Sequence, residues 1–177
     1  MADIEEIENN WKQFESIIGR LDNPQIKTML SDLGERLAIA PANARNTDKG
    51  SEDGGLIKNT LEILKLSRML DAATGKQCDP KTLYKIVVLH NIGRIGTIDD
   101  ALYLCQDSSW HLEKLGMLYK INPKLIGYDK TDLTFQLLAH YGIRLSRVEH
   151  EAIVSLRTKE PLNHYAKIML AAKILND

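Results

Sequence analysis

The stretch LHNIGRIG, residues 89–96, sets an imidazole, a carboxamide and a guanidinium close together at His90, Asn91 and Arg94. An imidazole ligates transition metals and exchanges protons near neutral pH. A guanidinium meets a phosphate or carboxylate with paired N–H donors. A carboxamide oxygen is a weak, uncharged ligand, so His90 and Asn91 alone do not make a tight metal site. His90 is the first histidine of the chain. The others, His111, His140, His150 and His164, fall on separate expected helices, and none forms an i, i+4 ligand pair with another. There is no GxSxG, P-loop or HExxH signature. Cys78 and Cys105 make neither a CxxC pair nor a disulfide framework, and a reduced intracellular setting is expected.

The elements that must position these residues are helices. Ile4, Ile7, Trp11, Phe14, Ile18 and Leu21 recur at alternating steps of three and four, a narrow helical stripe. Asn23-Pro24 then suits a cap and first turn, and Ile26, Leu30, Leu33 and Leu37 repeat the pattern. Together they read as a helical hairpin over residues 1–38. The stripe faces the chain's own core or, at Trp11, Phe14 and Ile18, docks a partner or a second copy. Residues 39–55 are polar and Gly-rich and read as a mobile loop, with 48–53 a candidate contact surface.

A helix is expected from Leu56 to Ala73. Asp79-Pro80 opens another, carrying the continuous apolar run Ile86, Val87, Val88, Leu89 that marks burial on all sides, and Gly93 and Gly96 end it. Residues 98–106 read as irregular or briefly extended. Ser108 or Ser109 caps a helix to Tyr119; Asp129 or Thr131 caps the next; Ser146 with Glu149 forms a capping box; a last helix covers 162–175. No convincing strand set appears. The expected fold is all-α, one domain over 1–177 whose core spans 56–177.

Composition bounds the rest. A chain of 177 residues with 44% apolar content can bury one sizeable core. Its net charge of −1 advertises neither nucleic acid nor membrane, and 6% aromatics leave no stacking platform for single strands. The N-terminus is acidic without an apolar leader segment, and no run approaches membrane-span length, so a cytoplasmic protein is expected.

Four stretches in order, LDNPQIKTML with IAPANA, GGLIKNTLEIL, VVLHNIGRIGT and LNHYAKIMLAAKILND, resemble the HD-domain metal-dependent phosphohydrolase superfamily. WHLEKLGMLY and GIRLSRVEHEAI between them look like its phage-type members. The resemblance runs from about residue 22 to 177 and implies an HD-like helical bundle behind the N-terminal hairpin. In that family one or two divalent metals, held by His, His-Asp and a late Asp, generate hydroxide and neutralise phosphate. By resemblance, Asn59 stands at the first His, Asn91 at the Asp of the pair and Lys173 at the late Asp. Leu156-Arg157 stands where some relatives carry a further His-Asp.

Of the implied ligands only His90 survives, so the resemblance implies a degenerate site with no metal and no cofactor. The leading expectation is a pseudo-phosphohydrolase, not an enzyme, that binds a protein partner. The phage-type likeness extends this to a viral accessory protein acting on a host or virion component in the host cytoplasm. The alternative is a metal-free binder of a nucleotide or phosphate, with Lys58, Arg94, Arg157 and Lys173 around the former site. Residual hydrolysis is the third reading, and a homo-oligomer is open. On the last helix Lys173 sits about 100° from the centre of the apolar stripe, a flank that suits either a pocket or solvent.

Overall fold

A computed structural model describes residues 3–176. Helix α1 (Ile4–Leu21) starts at Asp3, whose carboxylate accepts from the Glu5 amide, and ends where Asp22 turns left-handed at φ 51°. Asn23 caps α2 (Pro24–Ile39), its side-chain oxygen accepting from Ile26 N at 3.0 Å. This is the expected hairpin, but its seam is internal. Phe14 and Ile18 are each only 2% exposed, because α2 and two later helices close over them. The Trp11 ring is half-buried over Gly34 of α2, where an added Cβ would come within 3.2 Å of it. Trp11, Phe14 and Ile18 are therefore core and core-edge residues rather than a docking surface. Ile4, at the start of the stripe, is outside the core at 74% exposure.

Gly19, by contrast, is exposed within α1, and a methyl added there would meet no atom within 4 Å. Gly19→Ala should raise stability by about 0.5–1 kcal/mol, by removing backbone freedom from the unfolded chain. A denaturation midpoint that falls instead would show that α1 is not regular helix there.

The connection over 40–54 corrects the expectation of a mobile loop. Ala42 N donates to Gly50 O at 2.7 Å and Asn43 Nδ2 to Lys49 O at 2.7 Å. Lys49 reaches across to Asn176 O at 2.8 Å and Glu62 at 2.9 Å. The turn also closes on Gly55, where a Cβ would lie 2.2 Å from Gly50 O. Polar composition marked the segment as loop, but its backbone groups find partners inside the fold.

Helix α3 (Gly55–Ala73) packs along the last helix, α8 (His164–Asn176). Helix α4 (Pro80–Leu89) is capped by Asp79, which accepts from Thr82 N at 2.8 Å, and its Ile86, Val87, Val88 and Leu89 are all buried. A 3-10 turn, Ile92–Ile95, follows. Helix α5 (Ser109–Leu115), capped by Ser108, stops at Gly116 in the left-handed conformation, φ 61°, short of the expected Tyr119. That stop releases Tyr119–Ile121 (β2) to pair antiparallel with Tyr103–Cys105 (β1), with Leu104 opposite Lys120. The two-stranded ribbon is an addition to the strandless reading, and the chain remains all-α.

Helix α6 (Lys130–His140) is capped by Asp129, and α7 (Arg147–Thr158) carries the Ser146–Glu149 capping box. One continuous core draws on α1 through α4 and α6 through α8, with a smaller cluster of Leu102, Leu125 and Leu133 beneath the ribbon. Both cysteines are free, Cys78 buried and Cys105 exposed. Among the described residues no helix is long and apolar enough to cross a membrane.

Candidate functional site

His90 closes α4 and is 5% exposed. Its Nδ1 lies 2.6 Å from Val87 O. A carbonyl only accepts, so Nδ1 carries the proton and Nε2 presents a lone pair. Nε2 is buried, and among the described residues nothing hydrogen-bonds it. Burial, then the Lys173 ammonium, hold the imidazole well below its ordinary pKa; the Val87 bond opposes this and Arg94 adds to it. The ring is thus neutral, with a buried, unpartnered acceptor, and the residue lines a cationic surrounding.

That surrounding is a cleft of about 220 Å³. Among the described residues, Arg94, Lys130, Arg157 and Lys173 line it, against one carboxylate, Asp129. Arg94 Nη1 donates to Asn43 Oδ1 at 2.9 Å and to Ala42 O, and Nε to Asn91 Oδ1 at 3.3 Å. These partners are neutral, so among the described residues no carboxylate pairs with the guanidinium. Arg157 lies 2.9 Å from Asp132 and 3.8 Å from Asp129. Lys130 sits 5.7 Å from the centre of the Tyr103 ring. The Asp129 carboxylate is engaged by Thr131 N at 2.8 Å, in the first turn of α6, whose amide ends add further positive potential.

Tight packing fixes these parts. Gly93 N donates to Thr134 Oγ1 at 3.0 Å, and a Cβ on Gly93 would lie 2.3 Å from both Lys130 O and Thr134 N. Gly93 is therefore a contact glycine that lets α6 settle on the His90 turn, not a helix terminator. α4 has already ended at Leu89. Arg36 holds the other side of the turn, donating to Ile98 O at 2.9 Å, Ile95 O at 3.1 Å and Thr97 O.

The structure thus brings together His90, Asn91, Arg94, Arg157 and Lys173, as expected from sequence. Two residues are elsewhere. Lys58 faces α1, where Glu6 at 2.9 Å and Glu52 at 3.4 Å hold its ammonium. Asn59 is buried on α3, outside the cleft lining. Lys130 and Thr131 were missed; the Asp129 cap was legible, but nothing local says that α6 lands on the His90 turn.

The residues present do not fit the divalent metal implied by the resemblance. Among the described residues of the cleft lining, only His90 and Asp129 carry imidazole or carboxylate donors, and four cationic side chains line the same space. A cation brought to Nε2 meets the same burial, and then the same Lys173 and Arg94 charges, that keep His90 unprotonated. The geometry suits an anion.

Fold and site define an all-α protein with a buried neutral histidine at the floor of a cationic cleft. No protein-family model, no curated protein and no solved structure matches this chain.

Proposed function

We propose that this chain is a non-catalytic, HD-domain-like protein whose His90 cleft binds a phosphate-bearing small molecule, a nucleotide or sugar phosphate. The reading rests on the fully buried, unpartnered Nε2 of His90 in a cleft rimmed by Arg94, Lys130, Arg157 and Lys173. An unsatisfied buried acceptor is costly, and a ligand hydroxyl satisfies it once binding shifts the side chains that cover it. The cations take the phosphate oxygens. A volume near 220 Å³ is below the roughly 300–1,000 Å³ of drug-sized sites, so the cleft encloses the phosphate and its first substituent and leaves a base outside.

Calorimetric titration with inorganic phosphate, pyrophosphate, nucleoside monophosphates and cyclic dinucleotides tests this. Lys173→Ala should weaken binding by about tenfold or more, the value of a charge-assisted hydrogen bond. A wild type that binds none of them, or a Lys173→Ala chain that binds equally well, sinks the proposal. Phosphate release from a nucleotide in the presence of manganese would return the chain to the hydrolases.

A second reading is supported by α5. It buries none of its residues and leaves Trp110 56% exposed, beside Leu112 and Leu115. Such a face suits a protein partner, a second copy included. This moves the proposed partner surface from α1 to α5.

A further inference from the structure

The last turn of α3, the 74–79 connection and the first residue of α8 converge on a cluster that shares no lining residue with the His90 cleft. Asp71 is 9% exposed and Cys78 6%. His164 shows more of its ring to solvent, but its Nε2 is buried and has no hydrogen-bond partner among the described residues. That nitrogen lies 3.8 Å from Asp71 Oδ1, too far for a hydrogen bond. The carboxylate oxygen, thiol sulfur and ring nitrogen all fall within 4.8 Å of one another.

Backbone hydrogen bonds and one bond to the Asp71 carboxylate hold the frame around these donors. Lys76 N donates to Asp71 O at 2.7 Å, and Asp79 N to the Tyr165 hydroxyl at 2.9 Å. Cys78 N donates to Asp71 Oδ1 at 3.0 Å, which orients the carboxylate toward the other two donors. Oxygen, sulfur and nitrogen from three separate stretches of chain thus come within 4.8 Å of one another, and of the three side chains that of His164 is the most exposed.

We propose that Asp71, Cys78 and His164 form a binding site for one zinc-class divalent cation, with water as the fourth ligand. Around a tetrahedral zinc with bonds of about 2.0 Å to nitrogen and oxygen and about 2.3 Å to sulfur, the donors stand roughly 3.3–3.5 Å apart. The Asp71–His164 separation of 3.8 Å and the outer donor separation of up to 4.8 Å both exceed this, so the ring and the thiol must move inward to close on the ion. Mixed nitrogen, sulfur and oxygen donors select zinc and cobalt over magnesium or calcium, which take oxygen. Cys78 binds as the thiolate, and its proton passes to the buffer. The bound ion fastens the end of α3 to the start of α8. It also gives the orphaned His164 Nε2 its partner.

The test is titration of the metal-free Cys105→Ser chain with cobalt(II), followed by absorption. One equivalent should bring up a thiolate-to-cobalt charge-transfer band with the intense visible bands of a tetrahedral ion, and zinc should abolish both. Cys78→Ser should remove the charge-transfer band. His164→Gln, which leaves the buried thiol and carboxylate in place, should weaken cobalt binding at least tenfold. It should also lose the rise in Tm that zinc gives the parent chain. No charge-transfer band in the parent, or an unchanged titration in His164→Gln, overturns the proposal. Should Cys78→Ser fail to fold by circular dichroism, the parent and His164→Gln titrations decide the matter.

Discussion

Gly93→Ala is expected to cost about 3 kcal/mol of stability, the upper end of overpacking penalties. For a chain of this size that lowers Tm by roughly 6–12 °C. The expectation follows from what the new methyl would meet. Lys130 O and Thr134 N would each stand 2.3 Å from it and Thr134 Oγ1 2.8 Å. Two of these are backbone atoms in α6, so no side-chain rotation relieves the clash. Either the Ile92–Ile95 turn or the whole first turn of α6 must move. Moving either also breaks the 3.0 Å bond from Gly93 N to Thr134 Oγ1, which ties the two elements together.

The same displacement carries Lys130 and Thr131 away from His90, so anion affinity should fall with stability. Urea denaturation and phosphate titration of the variant measure both. An unchanged midpoint would mean that α6 does not rest on this turn.

The second large effect is on acid stability. His90 in the folded chain has its pKa lowered well below 6.5, whereas an unfolded chain exposes an ordinary imidazole. Below about pH 6.5 the unfolded state therefore binds a proton that the folded state refuses. Stability on this account is complete above that pH. As the pH falls toward the depressed folded value it is lost, at up to about 1.4 kcal/mol per pH unit.

His90→Asn keeps an amide N–H for Val87 O and cannot titrate. Its denaturation free energy, followed from pH 7.5 to 5, should show a shallower decline than the wild type. Equal slopes in the two proteins would show that His90 is not the group responsible. A phosphate ligand offsets the charges of Lys173 and Arg94, so its presence should raise the His90 pKa and flatten the wild-type slope as well.

These two residues also mark where reading the chain succeeds and stops. Helix boundaries were legible wherever a cap announces them, as at Asn23, Asp79, Ser108, Asp129 and Ser146, because a side-chain oxygen satisfies amides two or three residues away. Gly93 was legible as a glycine in a turn, but its purpose was not. The atoms that forbid a Cβ there belong to α6, about forty residues on in the chain.

The site divides along the same line. His90, Asn91 and Arg94 are neighbours in sequence and stay together, with Asn91 supporting Arg94. Arg157 and Lys173 join them, as the order of the stretches suggested. Lys58 and Asn59 fail to join. A lysine goes where carboxylates stand, and Glu6 and Glu52 hold the Lys58 ammonium outside the cleft lining. The loop over 40–54 looked mobile because it is polar and rich in glycine. Its contacts with Asn176 and with Gly55 are invisible until the chain closes on itself.

The amino-acid sequence by itself determined the helical class, most helix starts, the hairpin and the basic character of the residues near His90. All of these depend on periodicity and on bonds between close neighbours. Only the tertiary structure decided that His90 is buried and neutral with a bare Nε2, that Arg94, Lys130, Arg157 and Lys173 share one cleft, and that Asp71, Cys78 and His164 meet. A side chain's charge state and partners depend on burial and on groups distant in the chain, and those exist only once the helices have packed.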